Sequence, residues 1–302
     1  MFPTLFSSAT VSVHSWGLMV LTAFAVACGV SGMRASRVGI DPDKLVPLYL
    51  LVGAAGMLGA RLLHFVFAEP DLFFGNPFVF FDINHGGWAF YGGVIGGVGS
   101  GAVYARLRAI PVWKLADVAA ASIMLGLAIG RMGCFLAGCC HGGVCEAPVL
   151  GDLVSLPYGE IKSVEGFPHV ALRFEPGVGV GSLRGSVLYP TQLMEIGFGL
   201  MWFAVLSAMW RWGRRFDGQV LAAMMVLYAG SRTWVEGFRG DSIRGLYEVA
   251  GIELSTSRLI ALGMVAGAGV LVALRVRAGV APESEFIALD EDDDEPDAGS
   301  GD

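Results

Sequence analysis

Seven windows of roughly twenty predominantly apolar residues constrain this chain more than any other feature: 15–33, 46–67, 88–106, 115–138, 192–212, 218–237 and 256–276. Each is long enough, as a helix rising 1.5 Å per residue, to cross the hydrocarbon core of a bilayer. A chain that is 54% hydrophobic and 16% charged, with a mean hydropathy of +0.62, does not read as an ordinary soluble domain. The windows predict an all-α polytopic membrane protein of about seven transmembrane helices.

The loops carry an orientation signal. Arg34, Arg37 and Lys44 follow the first window, Arg106, Arg108 and Lys114 the third, Arg211, Arg214 and Arg215 the fifth, and Arg275 and Arg277 the seventh. Residues 68–87, between the second and third, contain neither Lys nor Arg. This alternation predicts an N-terminus outside and a C-terminus in the cytoplasm. The first window is too long for a signal-peptide core and has its basic residues on the wrong side, so it is expected to remain.

Two segments fall outside the spans. Ten of the 27 acidic residues lie in the last twenty positions, leaving 20 basic against 17 acidic residues in the remainder. The division expected is a membrane domain over 1–280 and a disordered acidic cytoplasmic tail over 281–302. Residues 139–190 separate an outward-going from an inward-going span and are expected to form a small extracytoplasmic α/β head. Within it, His169 to Pro176 alternates as a short strand, and Gly177 to Gly185 reads as a turn or mobile loop. That Gly-rich stretch lacks the strand-before, helix-after context of a phosphate loop. No cofactor, metal or nucleic-acid partner is expected.

Ionisable groups inside a bilayer are costly, and those that persist usually face a cavity and carry function. Arg131 sits within the fourth window. Tyr228, Arg232 and Glu236 are spaced i, i+4, i+8 in the sixth, with Arg239 one turn on, so they share a stripe. Arg61 and His64 lie near the end of the second, Gln192 and Glu195 one turn apart in the fifth, and His14 and Trp16 begin the first. On the predicted topology these groups converge in the outer third of the membrane. Glu236 can neutralise Arg232 but not Arg131 and Arg61 as well. The surplus positive charge points to an anionic ligand, and a planar guanidinium suits phosphate. Simpler readings apply to some of these: Arg239 as a snorkelling side chain, Trp16 and Trp88 as interfacial anchors, and Gly92, Gly93, Gly96, Gly97 and Gly101 as a helix-packing stripe.

Six stretches in order, HSWGLM, GARLLHFVF, GGWAFYGGVIGG, GRMGCFLAG, YPTQLMEIG and YAGSRTWVEGFR, make the chain resemble the prolipoprotein diacylglyceryl transferase family, bacterial integral membrane enzymes. The resemblance runs from near the start to the seventh window. It implies transfer of diacylglyceryl from phosphatidylglycerol to a lipobox cysteine thiol of a prolipoprotein signal peptide, by a monomer in the bacterial cytoplasmic (inner) membrane. Arg131 falls in the family signature GRxGNFxNGE, whose matching positions here include Gly130, Gly133, Cys134 and Gly138; Arg232 and Glu236 match an essential Arg and Glu, and Tyr228 a family tyrosine. Arg131, Arg232, Arg61, Tyr228 and Arg239 are thereby expected to bind the phosphate. The expected catalytic set is Tyr91, Arg232, Glu236, His141 and Cys139.

The departures concern acid–base chemistry. The signature's two Asn and its Glu are Cys134, Ala137 and Cys139; the family His of FHGG is Tyr91; the first-span Tyr is Trp16; and the His before PSQ is Tyr189. Because a phenol stays protonated at neutral pH, His85 and His141 become the nearest substitutes for the missing base. Cys134, Cys139, Cys140 and Cys145 with His141 form C-x4-C-C-H-x3-C, open to four readings: a disulfide, a metal site, a nucleophile or covalent carrier, or inert packing. Cys28 reads as a small apolar filler. The alternatives to the transferase are a paralogue that uses another acceptor, a protein that binds an anionic phospholipid without cleaving it, and a thiol redox protein.

Overall fold

The computed structural model describes residues 4–7, 12–82, 85–156, 159–174, 185–239, 246–249 and 252–278. The acidic tail lies outside these residues, as does 177–184 of the Gly-rich stretch. Eight α-helices are described: α1 Ser15–Arg37, α2 Pro42–Ala68, α3 Pro70–Gly75, α4 Phe90–Leu107, α5 Val112–Ala137, α6 Thr191–Ala208, α7 Gln219–Glu236 and α8 Thr256–Arg277. The strands are β1 Thr4–Ser7, β2 Ser12–His14, β3 Val149–Leu156, β4 Gly159–Val164, β5 Val170–Phe174, β6 Val187–Leu188, β7 Leu246–Val249 and β8 Ile252–Ser255.

A helix covers each of the seven apolar windows. Five of them are long and apolar enough to cross a membrane: Ser15–Arg37, Pro42–Ala68, Val112–Ala137, Thr191–Gly213 and Thr256–Arg277. The chain is therefore a polytopic, predominantly helical membrane protein. The other two, α4 and α7, have 18 residues each. Their apolarity is diluted for different reasons: α4 by glycines, α7 by Gln219, Arg232 and Glu236.

The chain divides into two compact units, 28–116 and the combination of 1–27 with 117–302. In the 28–116 unit, Asp41 caps α2 by accepting from the Asp43 N–H at 3.0 Å, with Pro42 pre-set for the first turn. Helices α2 and α4 meet along a glycine seam. A Cβ on Gly59 would strike the Gly92 carbonyl, one on Gly92 the Gly59 carbonyl, and one on Gly96 the Ala55 carbonyl. The small-residue stripe thus brings two backbones into direct contact, as packing without a water-driven hydrophobic effect favours.

In the other unit, Asp117 is fully buried at the start of α5 and accepts from the Gly218 and Leu221 N–H groups at 2.8 and 2.9 Å, capping α7 from a distant part of the chain. Gly126 lets α5 approach Ala23 and Ala27 of α1, Gly133 lets it approach Trp16 and Met19, and Gly199 lets α6 approach Met124 and Ala128. Strands β3–β4–β5–β6 form one antiparallel meander. One face of the sheet buries Leu172, Phe174 and Leu188 against Phe135 of α5, and the opposite face buries Val164 and Ala171 against Cys145. The expected strand near 169–176 is β5. Among the described residues of 139–190 there are strands and turns and no helix.

Candidate active site

Three helices of the larger unit build a buried ion-pair chain. Arg131 lies six residues before the end of α5, Glu195 in the second turn of α6, and Arg232 and Glu236 one turn apart on α7. Glu195 is 4% exposed, and its carboxylate is divided between two cations. Oε2 lies 2.9 Å from Arg131 Nε, and Oε1 accepts from Arg232 Nη1 at 2.9 Å. Arg232 Nη2 lies 3.4 Å from Glu236 Oε2 and donates to Ser257 Oγ at 3.2 Å. The order is Arg131–Glu195–Arg232–Glu236, with alternating charge. Pairing of this kind is what makes buried charges tolerable, and loss of one member leaves its partner stranded.

Glu195 is the residue that the sequence reading left out of the site. Its signal was present: a carboxylate one turn from Gln192 in an otherwise apolar helix. With Glu195 included, the two arginines face two carboxylates, which corrects the expectation that Arg131 lacks a counter-charge. Arg131 meets Glu195 through Nε, so among the described residues its two terminal nitrogens remain available for a two-oxygen contact. Tyr228, Arg232, Glu195 and Ser231 line a narrow cavity with Leu127, Phe198, Trp202 and Val235, with room for about one water (≈ 10 Å³). Arg239 lies just beyond the last turn of α7.

At the end of α5 the signature residues form a rigid turn. Gly138 (φ +73°) ends the helix in the left-handed conformation, and the Cys139 N–H returns to the Cys134 carbonyl at 3.1 Å. Cys140 also takes a left-handed backbone, φ +60°, without being glycine. Two buried residues of α6 hold this turn by its backbone: Gln192 Nε2 donates to the Cys139 carbonyl at 2.8 Å, and Thr191 Oγ1 to the Cys140 carbonyl at 3.0 Å. Gly142 is wedged against Tyr189 and the Phe238 carbonyl, where a Cβ has no space. Its N–H donates to Tyr189 O, and that of Gly143 to Phe238 O, each at 2.9 Å.

The turn draws three thiols together. The Sγ atoms of Cys134, Cys139 and Cys140 all lie within 4.8 Å of one another. Hydrogen bonds among them push the Cys140 thiol below the ordinary range and the Cys139 thiol above it. All five cysteines are unbridged. The C-x4-C-C-H-x3-C grouping is therefore split: Cys145 packs with Val164 and Ala171 under the sheet. His141 turns its Nδ1 toward the Gly142 carbonyl, at 3.0 Å, and its ring toward Phe174. Burial pushes the Tyr189 hydroxyl above the ordinary phenol range.

Arg61 and Tyr91 belong to the 28–116 unit. Tyr91, 39% exposed, opens α4 with its ring edge-on to Phe90. Arg61 is 3% exposed and donates to the carbonyls of Phe80 (3.0 Å), Gly87 (3.2 Å), Val79 (3.3 Å) and Asp82, while its guanidinium stacks on Phe65 and Trp88. In the same unit Glu69 bridges two histidines: His85 Nε2 at 2.8 Å and His64 Nε2 at 3.5 Å.

A family model described as prolipoprotein diacylglyceryl transferase matches residues 3–274. This chain belongs to the prolipoprotein diacylglyceryl transferase family. Relatives named phosphatidylglycerol–prolipoprotein diacylglyceryl transferase include one from Nostoc sp., 28% identical over 94% of both chains. Another, from Geobacillus kaustophilus, is 30% identical over 77% of this chain and 79% of its own. A third, from Bacillus cereus (strain G9842), is 30% identical over 76% and 78%.

Proposed function

We propose that this chain transfers diacylglyceryl from phosphatidylglycerol to the cysteine thiol of a prolipoprotein signal peptide. The observation that carries the reading is the alternating chain Arg131–Glu195–Arg232–Glu236, buried in a member of this family. A thiolate sulfur attacks the glyceryl carbon, the C–S bond forms, the C–O bond to phosphate breaks, and glycerol phosphate leaves. Arg131 and Arg232 bind the phosphate and take up the charge that develops on the leaving oxygen. Glu195 and Glu236 fix both guanidiniums beforehand, so little reorganisation is needed in the transition state. Tyr228 borders the phosphate, and Arg239 adds positive charge beyond the end of α7. Arg61, engaged by four carbonyls, serves as a framework residue. Tyr91, His141 and Cys139 remain assigned to the catalytic set.

The remaining expectations belong to the same proposal: seven crossings, N-terminus outside, C-terminus cytoplasmic, the sheet outside, and a monomer in the bacterial cytoplasmic membrane. A second reading, a paralogue with a different acceptor, draws on one specific observation, the thiol cluster in the signature turn. The test supplies membranes with phosphatidylglycerol and a lipobox peptide and follows both lipidated peptide and glycerol phosphate, with Arg232→Ala as control. Both products, lost together in the variant, are expected. Glycerol phosphate alone would favour the second reading, and neither product would overturn both.

A further inference from the structure

We propose that Cys134, Cys139 and Cys140 form a binding site for a thiophilic divalent cation of the Zn²⁺ class, with a fourth position open to the acceptor thiol. The role of that fourth position rests on the transferase reading above; the metal site itself does not.

Geometry comes first. The three Sγ atoms lie within 4.8 Å of one another. A zinc ion bound at about 2.3 Å by thiolates in a tetrahedral arrangement spaces its sulfurs about 3.8 Å apart, a difference that small side-chain rotations close. The thiols come from two differently built pieces of backbone, the last helical turn of α5 and the turn after it, and both are fixed. Gln192 and Thr191 hold the turn from α6, and Gly142 locks it against Tyr189. Cys140 occupies a left-handed backbone that costs a side-chain-bearing residue about 1–2 kcal/mol and glycine almost nothing. That strain is explained if the thiol itself is required.

Ligand number and charge come next. Among the described residues no fourth His, Cys, Asp or Glu joins the cluster. His141 is turned to Gly142 and Phe174, and Cys145 is packed under the sheet. Structural zinc sites are closed by four protein ligands, whereas sites with three keep a position for water or substrate. Thiolates select soft cations over Mg²⁺ or Ca²⁺. One divalent ion with three thiolates carries a charge of −1.

An acceptor thiol entering the fourth position is deprotonated by coordination, its proton passing to solvent, so no general base is needed. The bound thiolate then attacks the glyceryl carbon as the C–O bond breaks, glycerol phosphate leaving on the arginines. The thioether product is a neutral, weaker ligand and vacates the ion.

The test uses the full-length protein, purified in detergent without chelator. Elemental analysis is expected to give about one zinc per chain. Cys139→Ser and Cys140→Ser are expected to weaken zinc binding more than roughly tenfold, while Cys28→Ala and Cys145→Ala retain it. Replacement by Co²⁺ in the wild-type protein needs no variant to fold. It is expected to produce sulfur-to-cobalt charge-transfer absorption that shifts when a lipobox cysteine peptide is added, but not with its serine counterpart. Absence of metal, or a thiol titration showing a disulfide among the three cysteines, overturns the site. Metal whose cobalt spectrum ignores the peptide thiol, or transfer activity that survives complete chelation, overturns the open position. None of the binding readouts uses phosphatidylglycerol, so failure of the transferase reading shows separately, as absent glycerol phosphate in a metal-loaded protein.

Discussion

Glu195 holds Arg232 at 2.9 Å although 37 residues separate them, and its second oxygen is spent on Arg131. One carboxylate therefore sets the orientation of both cations proposed to receive the phosphate. Glu195→Gln keeps the size and one hydrogen bond but removes the charge. Transfer is expected to fall by roughly 100-fold or more, mainly in kcat, with modest change in phosphatidylglycerol binding. The peptide lipidation assay with titrated lipid separates the two.

Arg61 is expected to matter for stability. Its replacement by Lys keeps the charge but cannot satisfy carbonyls on Val79, Phe80, Asp82 and Gly87 together. A loss of about 2–4 kcal/mol is expected, read as a lowered Tm in detergent. An unchanged Tm would refute the framework role.

The glycine seam gives a paired prediction. Gly92→Ala forces α2 and α4 apart and is expected to cost about 1–3 kcal/mol. Gly99→Ala, on the same helix with open space where its Cβ would sit, is expected to be neutral or to stabilise by up to about 1 kcal/mol. Thermal unfolding of the two variants side by side checks this.

The Glu69 bridge predicts a pH dependence. Its carboxyl is held below the usual range, chiefly by the hydrogen bond with His85. A depressed carboxylate contributes stability above its unfolded pKa, about 4.3, and loses it as the pH falls through the lower folded value. The stability difference between wild type and Glu69→Gln is therefore expected to be full at pH 6 and to vanish in stronger acid.

Local relationships were legible from the residues, and distant ones were not. Arg232 and Glu236 are one helical turn apart, so periodicity alone paired them. Glu195 joins Arg131 and Arg232 only once three helices are packed, and no spacing encodes that. The cysteine motif read as one cluster because its members are close in sequence. The left-handed backbone at Cys140 instead turns His141 away, and the sheet takes Cys145 into its apolar layer. Strand β5 was readable from its alternation. Strand β3 lies largely exposed and offers no apolar rhythm to detect. The windows at α4 and α7 were visible as apolar runs, but glycine contacts and buried ion pairs dilute the signal of the segments that use them.

The bonds from Gln192 and Thr191 to the signature turn end on carbonyl oxygens, not on side chains. A mutation at position 139 or 140 can therefore exchange the functional group without dismantling the mount that presents it. Such separation of support from chemistry gives a lineage evolvability at this point, because the side chain can change while the main chain stays secured. New reactivity can be tried there one codon at a time.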